Sequence, residues 1–154
     1  MDTTTIDIKN YLPHHAPMLM VDKFISIDNQ KVETIFEIKK DNIFVKNTIF
    51  LEAGLIENAA QTCSSIVAQS YFVDENNQEI KDVIVIGFIS TIKSIKIHNL
   101  PNVGDILTTK AVLISKFITD DYSLCTLSCQ TFHKDKLLLE GEINLFLQEN
   151  SAKK

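Results

Sequence analysis

One long helical segment, followed by strand-like runs joined by short turns, is the feature that most constrains how this chain can fold. From about Leu51 to Val73, apolar residues recur at helical spacing in a stripe wide enough for a largely buried helix. Two strand-like runs, 18–27 and 31–39, precede this helix and are separated by turn-forming residues, which indicates a hairpin. Long β-branched and apolar runs follow it, at 83–97, 105–117, 122–132 and 137–147. This order predicts an α+β fold in which a curved antiparallel sheet wraps around one long central helix.

Length and composition fit one folded unit. A chain of 154 residues, 45% of them hydrophobic, can form one domain with a core of its own. We therefore expect a single domain over 1–154, with a short helix at about 6–12 that stops at Pro13 and a disordered tail at about 150–154. The segment 41–50 is expected to be irregular, with Asn47 or Thr48 as the cap of the central helix.

Net charge and hydropathy limit the kinds of molecule that this protein is expected to bind and the place where it is expected to act. The net charge of −5 argues against nucleic acid as a partner. The longest apolar stretch, Val83–Ile89, is far shorter than a membrane span, and the first ten residues lack the features of a signal peptide, so we expect a cytoplasmic protein. All fifteen basic residues are lysine, so bidentate guanidinium recognition of a carboxylate is not available. No cofactor is expected. Cys63, Cys125 and Cys129 match no metal-ligand spacing and are predicted to be buried reduced thiols.

Glu57 is a single carboxylate near the start of the apolar helical segment. In a partly dry cleft, a carboxylate at this position would be suited to general acid or base chemistry. The competing interpretation is structural: Glu52 and Glu57 complement the positive end of the helix, and Glu57, Gln61 and a serine form its solvated face. The segment alone leaves both interpretations open.

Three separated motifs resemble the β-hydroxyacyl-acyl carrier protein dehydratases, which have the hotdog fold. The first comprises Leu12-Pro13-His14 and the run 17–23, the second is the helix motif 54–61, and the third is 87–89 continuing through Lys93, Lys96 and 103–105. The resemblance extends over roughly residues 8–147. It implies a hotdog domain, a dimer in which two sheets join side by side, and an acyl chain that threads between subunits past the helix starts.

The resemblance also implies a catalytic role for Glu57, since it matches the glutamate that works opposite a histidine in these dehydratases. That histidine belongs to a His-Phe-Pro-Gly loop, whereas the segment between Asp41 and Glu57 contains neither His nor Pro. His14 and His15 are the best candidates for the missing base, because imidazole titrates near neutral pH and the flanking prolines would hold the loop in place. The alternative is that one ring stabilises this loop while the other faces solvent.

Further residues are expected to bind the substrate. The amides near Gly54 and Leu55, at the positive end of the helix, are candidate donors to the developing enolate oxygen, and Gly54 would permit close approach of a thioester. The family motifs add Gln61, Gly87 and Phe88 as substrate-binding candidates.

The implied partner is an acyl carrier protein that presents its substrate as a phosphopantetheine thioester. Because such carriers are acidic, Lys93 and Lys96 are candidate docking residues, although ordinary solubilising lysines would look the same. They are three residues apart on a predicted strand, so both reach the same face only if a bulge intervenes.

Three functions follow from the resemblance. The first is an active hydro-lyase of an atypical branch, similar to the aryl-polyene-type dehydratases, which removes water from a 3-hydroxyacyl thioester in fatty acid or polyene biosynthesis. The second is a non-catalytic hotdog subunit that supports a catalytic partner in a hetero-oligomer, and the third is an acyl thioesterase. The sequence leaves homodimer and hetero-oligomer both open.

Overall fold

The computed structural model describes residues 6–72, 74–76, 78, 80 and 84–150. One α-helix, α1 (Glu52–Phe72), packs against an antiparallel sheet of six strands. In chain order the strands are β1 (Lys23–Ile27), β2 (Lys31–Glu37), β3 (Val45–Lys46), β4 (Ile49–Phe50), β5 (Ile84–Ile97), β6 (Ile106–Ile118), β7 (Ser123–His133) and β8 (Lys136–Asn150). This arrangement confirms the predicted α+β hotdog fold with one long central helix.

The large sheet has the strand order β1-β2-β6-β7-β8-β5, and β3 pairs with β4 in a separate hairpin. Strand β5 is therefore an edge of the large sheet, fourteen residues long, and its backbone has no second neighbour within the described part of the chain. Ile86, Phe88 and Ile92 of this strand are exposed. A long edge strand with apolar side chains is a surface on which another chain can pair.

The core lies between α1 and the inner face of the sheet. Side chains alternate along β7 and β8, so that one face of each strand is buried against the helix and the other is more exposed. All three cysteines are buried and unpaired by disulfides, as predicted. The buried apolar residues that fill the space between helix and sheet include Leu55, Ala59, Cys63, Ile66, Val67, Leu107, Leu127, Leu139 and Ile143.

Polar contacts inside the core fix the position of the helix on the sheet. Asn58 Oδ1 accepts a hydrogen bond of 2.7 Å from Thr109 Oγ1, which lies 3.0 Å from Thr131 Oγ1 on the next strand. The hydroxyls of Thr62 and Thr34 are 2.8 Å apart. Because each of these buried groups has a partner, the cost of removing it from water is offset, and the contacts favour one register of the helix on the sheet.

The prediction that 41–50 is irregular and that Asn47 or Thr48 caps the helix was wrong. Strands β3 and β4 form a hairpin whose two turn residues, Asn47 and Thr48, have φ values of 52° and 66°. Positive φ at both central residues is the type I′ pattern that matches the twist of a two-residue hairpin. The hairpin also docks on the 101–103 turn, since Phe50 N–H donates to the Pro101 carbonyl at 2.9 Å.

The N-terminal helix is shorter than expected. Only Ile8–Asn10 form a helical turn, of the 3₁₀ type, and the Asp7 side chain caps it by accepting a hydrogen bond from Lys9 N–H. Helix α1 agrees with the expected 51–73, although Val73 lies outside the described residues. Residues 151–154 of the expected tail also lie outside them, and Asn150 belongs to β8. Within the described residues, no helix is both long and apolar enough to cross a membrane.

Candidate active site

A cavity of about 240 Å³ lies between one face of α1, the loop that contains Pro13 and Pro17 (the proline-bracketed loop), and strands β5 and β8. One wall is helical and carries Glu57, whereas the opposite wall is formed by the inner faces of two strands. The residues that line the cavity are Pro13, His14, Glu57, Ala60, Gln61, Ser64, Ala68, Val85, Gly87, Phe88, Ile89, Leu145 and Leu147. The walls are mainly apolar, with polar groups gathered near Glu57, which is typical of a ligand site.

Two helix amides hold the proline-bracketed loop against α1. Gln61 Oε1 accepts a hydrogen bond from Met20 N–H at 2.7 Å, and Asn58 Nδ2 donates to the Met20 carbonyl at 2.7 Å. Gln61 Nε2 also donates to the Met18 carbonyl at 2.8 Å. The predicted strand 18–27 begins only at Lys23, and the backbone of Met18 and Met20 before it is bonded to helix side chains instead of to a strand.

Gln61 also contacts Glu57 directly. Its Nε2 donates a hydrogen bond of 2.8 Å to Glu57 Oε1, one helical turn away. Gln61 is 2% exposed, so the interpretation in which it belongs to a solvated helix face was wrong. Glu57 is only partly buried and keeps contact with the cavity. The carboxylate is thus held in one orientation at the cavity wall.

His14 lines the same cavity as Glu57. Its Nδ1 is buried and has no hydrogen-bond partner among the described residues. Burial lowers the pKa of His14 below its ordinary value; the Glu57 carboxylate partly opposes this shift, and His15 adds to it. The ring is therefore neutral near pH 7, with an unused nitrogen near a carboxylate.

His15 occupies a different place. It is exposed and lines a second, wider groove formed with the N-terminal segment, and it is not among the residues that line the Glu57 cavity. His14 borders both spaces, whereas Glu57 borders only the first of them. The structure thus brings His14, but not His15, together with Glu57.

The structure does not place the start of α1 at the cavity, where it was predicted to bind substrate. Gly54 N–H and Leu55 N–H both donate to the Leu51 carbonyl, at 3.0 and 3.2 Å, and neither residue lines the cavity. A Cβ atom on Gly54 would lie 2.5 Å from Phe50 Cζ and 2.8 Å from Phe44 Cβ. Gly54 is therefore required by the packing of two aromatic side chains against the helix start. Leu55 is fully buried in the core.

Gly87 and Phe88 both border the cavity, but their positions on β5 differ. Gly87 pairs with buried Leu147 on the helix-facing side of the sheet. Phe88 is 54% exposed, and its ring stacks on that of its cross-strand partner Phe146, with centroids 4.9 Å apart. Since side chains alternate along a strand, the Phe88 ring lies on the outer face.

Lys93 and Lys96 reach one face of the sheet because of a bulge. The β5–β8 register shifts between Ile92 and Ser94, which interrupts the strict alternation at Lys93. Lys93 Nζ lies 3.7 Å from Glu142 Oε2, and Lys96 pairs in register with Glu140. Both lysines are exposed. The structure therefore contains the bulge that a common docking face requires.

Asn58 and Met20 were missed as site residues. The helix motif contained Asn58 one residue after Glu57, and an amide inside a buried helical stripe is a signal, because such a group needs partners. Met20 gave no signal, since its role depends on its backbone. No group of three or more His, Cys, Asp or Glu side chains suited to a metal ion occurs in the described ranges.

Solved structures with the same fold are numerous. A chain of the dehydratase heterocomplex ApeI:P from Xenorhabdus doucetiae aligns with a TM-score of 0.76 and 16% identity, over 94% of this chain and 92% of that chain. An uncharacterised protein from Pyrococcus horikoshii gives a TM-score of 0.60 at 15% identity, over 97% and 95%. A hypothetical thioesterase with coenzyme A from Streptococcus pneumoniae gives 0.56 at 10% identity, over 84% and 88%. At these identities the likeness establishes the fold alone.

Comparison of the sequence with known protein families identifies the family to which this chain belongs. No curated protein sequence matches the chain. The model of the ApeP-like family, described as ApeP dehydratase, matches residues 6–154, and this confirms the dehydratase resemblance of the three motifs. The chain therefore belongs to the ApeP-like dehydratase family.

Proposed function

We propose that this protein removes water from a 3-hydroxyacyl thioester, with His14 and Glu57 as its acid–base pair. The observation that carries the proposal is that both side chains line one mainly apolar cavity, in which His14 presents a nitrogen without a partner among the described residues. Dehydration needs a base for the proton on C2 and an acid for the hydroxyl on C3, and the cavity offers one group for each role.

In the proposed reaction, neutral His14 accepts the C2 proton, because its pKa is lowered by burial. The C2–H electron pair forms the new double bond to C3. The C3–O bond breaks, and the hydroxyl leaves as water after accepting a proton from Glu57 in its protonated form. Transfer of the proton from His14 to Glu57 then restores the starting state. Gln61 is a positioning residue, because it holds Glu57 Oε1 at 2.8 Å.

The acyl carrier protein is the proposed source of the substrate, and polyene or fatty acid biosynthesis is the proposed setting. Two observations support a carrier. The cavity is elongated along α1, as a fatty acyl chain requires, and exposed Lys93 and Lys96 lie on one face of β5 and β8. A lysine pair can attract an acidic carrier without fixing its orientation tightly.

A hotdog partner subunit is the second candidate, and one observation favours it. The amides of Gly54 and Leu55 already donate to Leu51, so they are not available to stabilise an enolate oxygen. A partner chain paired along the β5 edge would supply such donors and a histidine loop, and it would make the acyl site a shared one. The described relative from Xenorhabdus doucetiae is a heterocomplex, which is in line with this candidate.

The decisive experiment incubates the purified protein with a 3-hydroxyacyl-carrier protein and follows the enoyl product by mass. We expect Glu57→Gln and His14→Ala each to lower the rate by about 100- to 10,000-fold. Two matched controls come from the same elements: Glu52→Gln, an exposed carboxylate in the first turn of α1, and His15→Ala, the exposed neighbour of His14.

The product identifies the function. Water loss that depends on Glu57 and His14 but not on the controls supports the proposed dehydratase. Release of the free acid would instead identify a thioesterase. Water loss that occurs only after a second hotdog subunit is added, and that survives His14→Ala, would assign the base to the partner and support the second candidate.

A further inference from the structure

The chain has four glycines, and three of them have a structural reason. A Cβ atom at Gly54 would overlap the Phe50 ring, and one at Gly141 would overlap the Ser94 carbonyl oxygen. Gly104 has a φ of 93°, which side chains rarely tolerate. Gly87 differs from all three.

Neither backbone nor packing requires glycine at position 87. Gly87 is not among the residues with positive φ and lies in the paired part of β5. A Cβ atom there would lie 3.5 Å from Leu147 Cγ and 3.6 Å from the Phe146 carbonyl oxygen, which are ordinary contacts. Since glycine weakens a strand interior and alanine would fit, some other feature must account for its presence.

The cavity is that feature. Gly87 lies on the inner face of β5 between Val85 and Ile89, and all three line the cavity with Leu147. Gly87 is itself exposed, and a side chain at position 87 would extend from the inner face of β5 into space that is now open. The missing side chain therefore enlarges the cavity itself.

The helical wall also consists of small residues. Ala60, Ser64 and Ala68 line the cavity at intervals of four residues, beyond Glu57. From Glu57 to Ala68 the helix rises by about 16 Å, so the cavity follows three turns of α1. The Ser64 hydroxyl already donates to the Gln61 carbonyl at 2.9 Å, which leaves this wall with little unsatisfied polarity.

Gly87 lies toward the end of this channel that is remote from Glu57. Tyr71 Oη, near the end of α1, lies 2.7 Å from Ser123 Oγ, and Ser123 pairs with Leu147. Leu147 in turn pairs with Gly87. The small residues Gly87 and Ala68 thus both line the part of the cavity that is farthest along the helix from the proposed chemistry.

We propose that Gly87 is a specificity-determining residue that sets the longest acyl chain the cavity accepts, with Ala68 contributing from the helix. This inference rests on the proposed function only in taking an acyl thioester as the ligand. A straight acyl chain that lies along α1 from Glu57 would have its far end at Gly87.

The test measures binding of a graded series of straight-chain acyl pantetheine amides by calorimetry. These amides undergo no dehydration, so the result is independent of whether the protein removes water. For the unmodified protein we expect the affinity to rise by about fourfold per added methylene until the channel is full, and then to level off.

Gly87→Val should move that plateau to chains about three carbon atoms shorter, since its side chain fills the same space. Ala68→Leu should shorten the accepted chain from the opposite wall. Ile86→Val is the matched control, because Ile86 is the exposed neighbour on β5 and does not line the cavity. We expect it to leave the length dependence unchanged.

Two results would overturn the inference. One is an affinity of the unmodified protein that does not depend on chain length, and the other is a Gly87→Val protein that keeps the original plateau. If Gly87→Val does not fold, Gly87→Ala takes its place, since its Cβ makes only ordinary contacts, and it must show a plateau about one carbon atom shorter. Loss of dehydration with an intact plateau would refute the proposed function and leave the channel assignment standing.

Discussion

Gln61 Nε2 donates a hydrogen bond to Glu57 Oε1 at 2.8 Å, while the same side chain bonds the Met18 carbonyl and the Met20 N–H. One buried amide therefore links the proposed acid to the loop that carries His14. Orientation of the carboxylate and position of the loop depend on the same residue.

Gln61→Leu is expected to lower both stability and activity. It leaves the buried Met20 N–H and the part-buried Met18 carbonyl without these partners, which should reduce the free energy of unfolding by about 2–4 kcal/mol. Urea denaturation measures this change. Gln69→Leu is the matched control, because Gln69 bonds the Asp28 carbonyl from a more exposed position on the same helix, and its effect should stay below about 1 kcal/mol. Equal losses at the two positions would contradict the linking role of Gln61.

Acid should destabilise the protein through His14. Burial lowers the pKa of His14, so below the ordinary value of about 6.5 the unfolded chain takes up a proton that the folded protein does not. Stability is therefore lost as pH falls from about 6.5 toward the lowered pKa. Urea midpoints across this range should fall more steeply for the natural sequence than for His14→Gln, and parallel curves would exclude His14 as the cause. The value of kcat/KM should decline only at lower pH, where the folded protein reaches the lowered pKa of His14 and the base becomes protonated.

Replacing Lys93 and Lys96 together by alanine should weaken binding of an acyl carrier protein. Both lysines are exposed on one face, although Glu142 lies 3.7 Å from Lys93 and offsets part of its charge. We therefore expect Lys96→Ala to have the larger single effect. Calorimetric affinities should converge at high salt, because exposed charges are screened there. Lys31→Ala, at the exposed first residue of β2 and remote in sequence, is the control and should leave the affinity unchanged.

Gly54→Ala should destabilise the protein even though alanine favours helices. The new Cβ would lie 2.5 Å from Phe50 Cζ, and the displacement of two aromatic side chains should reduce the free energy of unfolding by about 1–3 kcal/mol. Thermal unfolding followed by circular dichroism checks this. Gly87→Ala, whose Cβ has ordinary contacts, should instead be neutral or slightly stabilising. A gain in stability for Gly54→Ala would contradict this prediction, because it would mean that the two aromatic side chains can move at little cost.

The central helix and the long strands could be predicted because their patterns are regular. Helical periodicity located α1 to within a residue at its start, and β-branched runs located β5 to β8 closely. The segment 41–50 could not be predicted in the same way. Its short hairpin depends on positive φ at Asn47 and Thr48, and the second of these is a residue type that rarely adopts this conformation.

The sequence predicted which residues form the candidate site better than it predicted how they are arranged. Periodicity and motifs pointed to Glu57 and to the histidine pair, yet only three-dimensional packing separates His14, in the cavity, from His15, outside it. The amides of Gly54 and Leu55 were predicted to bind the enolate oxygen because they lie at the positive end of the helix. Their hydrogen bonds to Leu51 are a property of local backbone geometry, which the sequence does not reveal.

Both backbone polar groups of Met20 are bonded by side chains of one helix, and Asn42 Nδ2 donates to its sulfur at 3.3 Å. This segment has no regular secondary structure, yet both backbone groups of Met20 are hydrogen-bonded, as they would be in a strand inside a sheet. The amide of Met20 should exchange with solvent slowly, because it is buried and donates to a buried side chain of α1. The loop that presents His14 therefore belongs to the same cooperative unit as the helix that presents Glu57.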